Sequence, residues 1–108
     1  MYIHSIYIRK WTFFFLYRDQ TFIWDGPKAV ENRAKHGIRF EMACEAFFDD
    51  YSTYVDATVD DEKRTAVIGL SKSTKLLYVV HVERDEDQIR IASARLATKQ
   101  GSKIYEDS

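Results

Sequence analysis

A short stretch near residue 30 combines side chains that can hold an anion and move a proton. Lys28, Asn32 and Lys35 are spaced i, i+4, i+7, which places them on one face of a helix, and His36 lies beside them. This face offers two fixed cations, one carboxamide and the side-chain type that titrates near neutral pH. Such a combination suits a polyanion whose backbone is held and cut, with His36 as general acid or base.

The flanking residues predict the helix that presents this face. Asp25 or Gly26 is a candidate N-cap, Pro27 fits the first turn, and Gly37 fits the left-handed position that closes many helices. We therefore predict a helix over residues 27–36. A histidine at such a helix end also has a purely structural use, because its charge stabilises the helix dipole by roughly 0.3–1 kcal/mol.

The rest of the chain indicates an α+β domain, with two helices packed on one face of a curved antiparallel sheet. We predict strands at 21–24, 52–57, 64–71, 76–84 and 88–94, and further helices at 40–48 and 98–106. Short gaps between the last three strands favour a meander. The expected core residues are Phe40, Phe47, Val67, Leu77, Val79, Ile89 and Ile91. His81 and Cys44 lie among apolar neighbours, and we interpret both as core residues.

Composition limits the kinds of protein that this chain can be. Its 108 residues are 45% apolar, which suffices for a single core, and Pro and Gly are too scarce for extensive disorder. The single cysteine excludes an internal disulfide and fits a reducing cytoplasm. The formal net charge of −1 argues against a molecule that is basic throughout. No apolar run approaches the ~20 residues that span a bilayer, so we expect no membrane contact.

The charges are separated along the chain. Residues 41–62 contain eight acids and no Lys or Arg, whereas residues 89–103 contain four Lys or Arg and no acid. If the second segment meets the basic residues at 28–39, the fold has a cationic face and an acidic back; scattered solvated charge is the equally weighted alternative. The acidic loop at 59–63 lacks the ligand spacing of a calcium loop, and we interpret it as solvated, with no metal.

Two arginines on the last predicted strand are further candidates for anion binding. Arg90 and Arg95 have opposite parity, so they point to opposite faces of the sheet unless a bulge or the strand end intervenes. Each can grip a phosphate with its planar fork of donors, and a salt bridge to the acidic segment is the alternative. Arg64 opens a strand and can face either way. Lys103 and Tyr105 reach a shared groove if the C-terminal helix folds over the sheet.

Residues 1–20 are aromatic and irregular, and we treat them as an extension of a domain predicted for residues 21–106. Three interpretations are open: an extra strand, a loose arm, or upstream sequence read through from a misplaced start. If exposed, the apolar run at 13–16 would favour aggregation or partner binding.

Together these residues resemble the BrnT family of bacterial toxins. The resemblance covers roughly residues 22–106. Its blocks are 22–25, Pro27-Lys28, Asn32, 35–38, 40–43, 47–49, Arg64, 68–70, 76–84, 90–95 and 97–98. The Lys-His-Gly and Arg-Ile-x-Ser-Ala-Arg blocks are specific in combination, although either alone is weak.

The resemblance implies a RelE/ParE-like fold and an endoribonuclease that blocks translation as the toxin of a type II toxin–antitoxin pair. It implies RNA as substrate. The acid–base chemistry expected of His36, in which a 2′-hydroxyl attacks the adjacent phosphate, requires no metal or cofactor. The resemblance also implies a BrnA-type antitoxin with a ribbon-helix-helix region, a hetero-oligomer with that antitoxin, and operator DNA contacted only through it. Two alternatives stay open: an inactive partner or co-repressor of such an antitoxin, and a small binding module unrelated to toxins.

Carried over by position, the resemblance implies site roles for Lys28, Lys35, His36, Arg64, Arg90 and Arg95. The helix face and the C-terminal helix described above add Asn32, Lys103 and Tyr105. The catalytic candidates are His36, Arg64, Arg90 and Lys35. The substrate-binding candidates are Lys28, Asn32, Arg95, Lys103 and Tyr105. Within this set we assign proton transfer to the histidine, stabilisation of phosphate charge to Arg64 and Arg90, and contact with the RNA backbone to the two lysines of the first helix.

Overall fold

A six-stranded sheet and three α-helices make up the fold in the computed structural model, which describes residues 11–84 and 87–108. The strands are β1 Thr12–Tyr17, β2 Gln20–Asp25, β3 Thr53–Asp56, β4 Thr65–Leu70, β5 Leu76–Arg84 and β6 Gln88–Leu96. The helices are α1 Gly26–His36, α2 Phe40–Ala43 and α3 Lys99–Asp107, and a 3-10 helix, Cys44–Phe48, continues α2. The predicted α+β class is confirmed.

The sheet is mixed, with the strand order β1-β2-β6-β5-β4-β3. The predicted meander of β4, β5 and β6 is confirmed, since each neighbouring pair is antiparallel. The prediction of a wholly antiparallel sheet is wrong, because residues 21–23 of β2 run parallel to residues 88–90 of β6. Parallel neighbours need a long crossover connection. Here the helices and three strands between β2 and β6 supply it.

The region before residue 21 contributes the edge strand of the sheet. β1 pairs with β2 along its full length, and the turn residues Arg18 and Asp19 have φ of +51° and +68°, as a tight hairpin turn requires. Phe15 and Tyr17 pack against the core, whereas Phe14 is 64% exposed. An extra strand therefore describes residues 12–17. Residues 1–10 lie outside the described part of the chain.

Helix α1 begins and ends at the residues that capping chemistry favours. The Asp25 carboxylate accepts a hydrogen bond from the Lys28 backbone N–H at 3.1 Å, so Asp25 rather than Gly26 is the N-cap. Gly37 closes the helix at φ +73°, and its N–H donates to the Arg33 carbonyl at 2.8 Å. The cations of α1 consequently sit on a helix whose two ends are fixed.

The predicted helix at 40–48 is α-helical only as far as Ala43 and then tightens into the 3-10 helix. Arg39 at its N-cap makes no side-chain capping hydrogen bond, so the α-helical part begins weakly. The 3-10 segment lies directly on β4, where a Cβ at Gly69 would overlap the Ala46 carbonyl. Contact between two backbones thus replaces side-chain packing at this point.

The core lies between one side of the sheet and the helices α1 and α2 with the 3-10 helix. We call this side, which carries Leu77, Val79 and His81, the core face. Five of the predicted core residues are buried, and Ile89 and Phe47 pack partly buried against them. His81 is buried with its Nδ1 3.1 Å from the Val79 carbonyl oxygen, and burial lowers its pKa. The interpretation of His81 as a core residue is confirmed, as is that of Cys44, because the buried Cys44 thiol has a pKa raised by burial.

The opposite side of the sheet, the outer face, carries Tyr78, Val80 and Val82 and is covered at β4 by α3. A Cβ at Gly101 of α3 would lie 3.8 Å from the Ile68 side chain. The next residue, Gly69, faces the 3-10 helix, so Ile68 and α3 are on the opposite, outer side of the sheet. Among residues 11–84 and 87–108, no helix has the length and apolar character needed to cross a bilayer. The rest of the outer face, over β5 and β6, carries the candidate site.

Candidate functional site

A bulge in β6 turns both of its arginines to the outer face. Between Val80 and His81 the register advances one residue on β5 and two residues on β6, which leaves Ala92 as the extra residue. The bulge reverses the parity of the strand. Arg90 and Arg95 therefore share a face. The sequence predicted opposite faces unless a bulge intervened, and the structure has that bulge.

Cross-strand partners confirm this placement and show what holds Arg95. Arg90 lies opposite Val82 and Arg95 lies opposite Tyr78, both of them residues of the outer face. The Arg95 guanidinium carbon is 4.2 Å from the centroid of the Tyr78 ring, a cation–π contact. Its Nη1 also donates to the Leu96 carbonyl at 3.2 Å. Arg95 is thus fixed on the same surface as Arg90, nearer the other end of the strand.

Asn32 of α1 pairs with the backbone of Ala94 in the second half of β6, beyond the segment that pairs with β2. The pairing with β2 covers residues 88–90 only, so the backbone beyond them needs another partner. The Asn32 carboxamide accepts from the Ala94 N–H at 3.0 Å and donates to the Ala94 carbonyl at 2.9 Å and the Ile38 carbonyl at 3.1 Å. Its side chain is buried and fully occupied. Its contacts in this structure fix α1 against the sheet.

The exposed cations of α1 line a depression beside the β6 bulge, which we call the histidine depression. Lys28, Lys35 and His36 converge there, as their helical spacing predicts. Its other lining residues are Glu31, Asn32, Ala92 and Ser93. Its volume is about 240 Å³. That is below the ~300–1,000 Å³ of pockets that enclose small molecules, so it suits one segment of a longer polymer.

A second depression, which we call the arginine depression, adjoins the first. Arg64 and Arg90 line it together with Lys28. Its other lining residues are Asp25, Glu62, Val82, Ile91 and Ala92. Lys28 and Ala92 belong to both depressions. The histidine and the arginines predicted from distant parts of the sequence therefore border one continuous surface, which we call the joined surface, with Lys28 shared by its two parts.

Glu62 is the site residue that sequence reasoning missed. Its Oε1 accepts from Arg64 Nη2 at 2.7 Å and from Arg64 Nε at 3.2 Å. The hydrogen bond and charge of Arg64, with the charges of Lys28 and Arg90, hold the pKa of Glu62 below its usual range. Three cations thus surround one carboxylate. The available signal was its position two residues before Arg64, because alternate residues of an extended chain point to the same side.

Lys103 and Tyr105 of α3 line neither depression. The Tyr105 hydroxyl donates to Asp49 Oδ2 at 2.6 Å, and burial together with this hydrogen bond raises the pKa of Tyr105 to about 12. Lys103 is exposed on the same helix. Both residues lie with α3 near the β4 side of the sheet, so the structure does not bring them to the joined surface.

The joined surface brings together side chains that are able to bind a phosphate group. Arginine forks give bidentate, charge-assisted hydrogen bonds to phosphate, and lysines add point charges along a backbone. His36 contributes an imidazole, a side chain that serves as general acid or base in catalysis. Within the described ranges, no group of three or more His, Cys, Asp or Glu side chains is placed to hold a metal ion.

Comparison with known protein families assigns the chain. The profile described as ribonuclease toxin, BrnT, of type II toxin–antitoxin system matches residues 24–101. The chain belongs to the BrnT family. The matched BrnT span includes every residue that lines the two depressions. Helix α3 lies only partly within this span, and β1 lies before it. None of the curated proteins compared with this BrnT chain matches it.

Proposed function

We propose that this protein is an endoribonuclease toxin that cleaves RNA without a metal ion and so blocks translation. The family supports ribonuclease activity and a toxin role. The observation that carries the assignment of the site is the position of Lys28 in both depressions, which joins His36 to Arg64 and Arg90 on one surface. Positive charge and a proton-transfer group therefore meet where an RNA backbone can lie.

The proposed reaction is attack of a ribose 2′-oxygen on the adjacent phosphorus. The bond from the 2′-oxygen to phosphorus forms and the bond from phosphorus to the 5′-oxygen breaks, which leaves a 2′,3′-cyclic phosphate and a 5′-hydroxyl. His36 transfers a proton, and Arg64 and Arg90 stabilise the charge that grows on the phosphoryl oxygens. Lys28 and Lys35 hold the flanking backbone. Arg95 lies further along the outer face, where it can contact a neighbouring phosphate.

A type II toxin works with a protein antitoxin, and we propose a partner of the BrnA type. In this proposal the antitoxin carries a ribbon-helix-helix region, forms a hetero-oligomer with the toxin and makes all contacts with operator DNA. The mixed sheet with helices on its core face is compatible with the RelE/ParE-like relationship that the sequence resemblance implies. The proposed place of action is the cytoplasm, where translated RNA is found.

Digestion of RNA by the purified protein in EDTA tests this function. We expect the wild-type protein to release fragments that end in 2′,3′-cyclic phosphate. His36→Ala and Arg90→Ala should each lower the cleavage rate about 10²–10⁴-fold, the range that acid–base and charge-stabilising groups contribute. Lys75→Ala is the matched control, because Lys75 is an exposed cation in the turn before β5. It should cleave at the wild-type rate.

Three other outcomes would contradict parts of the proposal. Cleavage that requires a divalent ion would refute metal independence. Wild-type rates in both His36→Ala and Arg90→Ala would refute the assigned site. A protein that binds its antitoxin tightly, cuts no RNA and does not arrest growth would be the inactive partner or co-repressor instead.

A further inference from the structure

Two carboxylates line the arginine depression, and their side chains are engaged differently. Asp25 Oδ2 accepts the hydrogen bond that caps α1, so this carboxylate has a structural role at the start of the helix. Glu62 has a side chain that is 64% exposed, and both Arg64 nitrogens bond to its Oε1. The Oε2 atom is not used by this ion pair. Glu62 therefore presents an exposed carboxylate among the cations that line this depression.

The backbone around Glu62 is held in one place. Val59 and Glu62 exchange two hydrogen bonds, with N–H to carbonyl distances of 3.2 and 2.9 Å. Asp60 and Asp61 form the tight turn between them in left-handed conformations, at φ +52° and +64°. Arg64 then fixes the side chain itself. A group positioned from both backbone and side chain has the preorganisation that proton transfer requires.

We propose that Glu62 is a catalytic residue that accepts the proton of the attacking 2′-hydroxyl. This assignment rests on the proposed ribonuclease function. The hydroxyl proton passes to Glu62 as the 2′-oxygen bonds to phosphorus, and protonated His36 gives a proton to the departing 5′-oxygen. Arg64 and Arg90, which line the same depression as Glu62, hold the phosphoryl group. The reaction balances, since one proton enters the enzyme at Glu62 and one leaves it at His36.

The cations around Glu62 also explain how a carboxylate with a lowered pKa becomes a useful base. In the free protein Arg64, Lys28 and Arg90 stabilise the charged carboxylate and so weaken its affinity for a proton. A bound phosphodiester brings a second negative charge to the same cations. This charge offsets their effect on Glu62 and raises its proton affinity. The base is thus strengthened when substrate is present.

A different role for the same contacts makes the opposite prediction. Glu62 can be regarded as an internal anion that occupies the phosphate position and must leave before RNA binds. In that case removal of its charge would tighten RNA binding and leave cleavage undiminished. A proton acceptor, in contrast, is needed for the chemical step and not for binding. Separate measurements of binding and cleavage therefore distinguish the two roles.

The test compares Glu62→Gln with Asp61→Asn. Each substitution replaces one carboxylate of the same loop by an amide and so removes one negative charge. Single-turnover cleavage of a short RNA is measured in EDTA, and binding is measured with a 2′-O-methyl RNA that cannot react. We expect Glu62→Gln to cleave about 100-fold more slowly or worse and to bind the analogue as tightly as wild type or more tightly. Asp61→Asn should stay within about threefold of wild type in both measurements. Glu62→Asp, which keeps a carboxylate, should recover part of the rate.

The pH profile supplies a readout that a structural role would not change. For the wild-type protein the rate should rise with pH as the carboxylate ionises, and this acidic limb should be absent for Glu62→Gln. Thermal unfolding of each variant checks that the fold is intact. A rate for Glu62→Gln within threefold of Asp61→Asn would overturn the proposal, as would a parallel loss of binding and rate. If the wild-type protein itself does not cleave RNA, the proposed ribonuclease function is refuted. If the wild-type protein cleaves and Glu62→Gln cleaves equally fast, only the role of Glu62 is refuted.

Discussion

Asn32 is a buried polar residue whose carboxamide makes three hydrogen bonds. A single carboxamide satisfies both backbone groups of Ala94 and one carbonyl from the loop after α1. Buried backbone groups that lose their partners cost about 1–3 kcal/mol. Asn32 therefore stabilises the junction between α1 and β6, and the position of the cationic face depends on it.

Replacement of Asn32 by Ala should destabilise the protein by roughly 2–3 kcal/mol, because Ala94 is left with an unpaired N–H and carbonyl in a buried site. Urea denaturation measures this as a lower midpoint with an unchanged slope. Glu31→Ala is the control, since Glu31 is the adjacent exposed residue of the same helix. Equal midpoints for Asn32→Ala and Glu31→Ala would show that the carboxamide is not needed.

At the scale of elements, β1 is part of the folded sheet and not an appendage. Its side chains alternate between a packed and an open side: the Phe15 ring lies 5.8 Å from that of Trp24, whereas Phe14 is 64% exposed. The Tyr17 ring also lies 5.4 Å from that of Phe48. The hairpin thus covers one end of the core and keeps two large apolar residues, Phe14 and Leu16, on its other side.

Phe15→Ala should destabilise the protein by about 1.5–3 kcal/mol, since a partly buried ring is removed from the core. Phe14→Ala removes the same ring one residue away and should change stability by less than about 0.5 kcal/mol, because that ring is exposed. The free energy of unfolding from urea titration compares the two. An equally large decrease in the free energy of unfolding for Phe14→Ala would mean that Phe14, and not Phe15, packs on the core, or that another molecule covers Phe14.

A second element-scale link runs through Asp49, where the 3-10 helix ends. Its carboxylate accepts from the Tyr105 hydroxyl at 2.6 Å, from Leu70 N–H at 2.9 Å and from Tyr51 N–H at 3.2 Å. Burial opposes ionisation, but these hydrogen bonds outweigh it and hold the pKa of Asp49 below its usual range. One side chain therefore ties α3 and β4 together.

This carboxylate should make stability depend on acid pH. Because its folded pKa is lowered, its contribution is present above the unfolded value of about 3.9 and is lost as pH falls through the folded value. Asp49→Asn should be less stable than wild type by about 1–2 kcal/mol at pH 7, allowing for solvent screening, and the difference should shrink below about pH 4. Asp50→Asn, an exposed neighbour, is the control. A constant difference from pH 7 to pH 3 would contradict the link.

At the scale of the whole molecule, a formal net charge of −1 coexists with a local cationic surface. The two depressions are lined by most of the basic candidates, namely Lys28, Lys35, His36, Arg64 and Arg90, whereas the acids of residues 41–62 other than Glu62 line neither of them. Glu62 is the exception that enters the site. Binding to RNA should therefore be local and strongly salt-dependent, although the protein as a whole is slightly acidic.

Salt titration of RNA binding tests this distribution. Removal of one cation that binds a phosphate should reduce the slope of log affinity against log salt by ~0.7, the value for single-stranded nucleic acid. Lys28→Ala should show this change because Lys28 borders both depressions, while Lys75→Ala should keep the wild-type slope. If both variants reduce the slope equally, RNA binds by general charge and not at the joined surface.

Features that depend on neighbouring residues were predictable from the amino-acid sequence. The caps of α1, the meander of β4 to β6 and the alternation that buries Val67 and Val79 all arise from interactions over a few positions. For the same reason the shared face of Lys28, Lys35 and His36 was predictable, since helical spacing alone determines it. These local rules predict which residues face together, but not what lies opposite them.

Only the tertiary structure decided the features that depend on distant segments. The bulge at Ala92 arises where β6 exchanges β2 for α1 as its neighbour, and it turns Arg95 toward Arg90 against the parity of the strand. The parallel pairing of β2 and the approach of Lys28 and Arg90 to Glu62 likewise join residues far apart in the chain. Strand order, register and through-space charge are set by these long-range contacts, which no local pattern encodes.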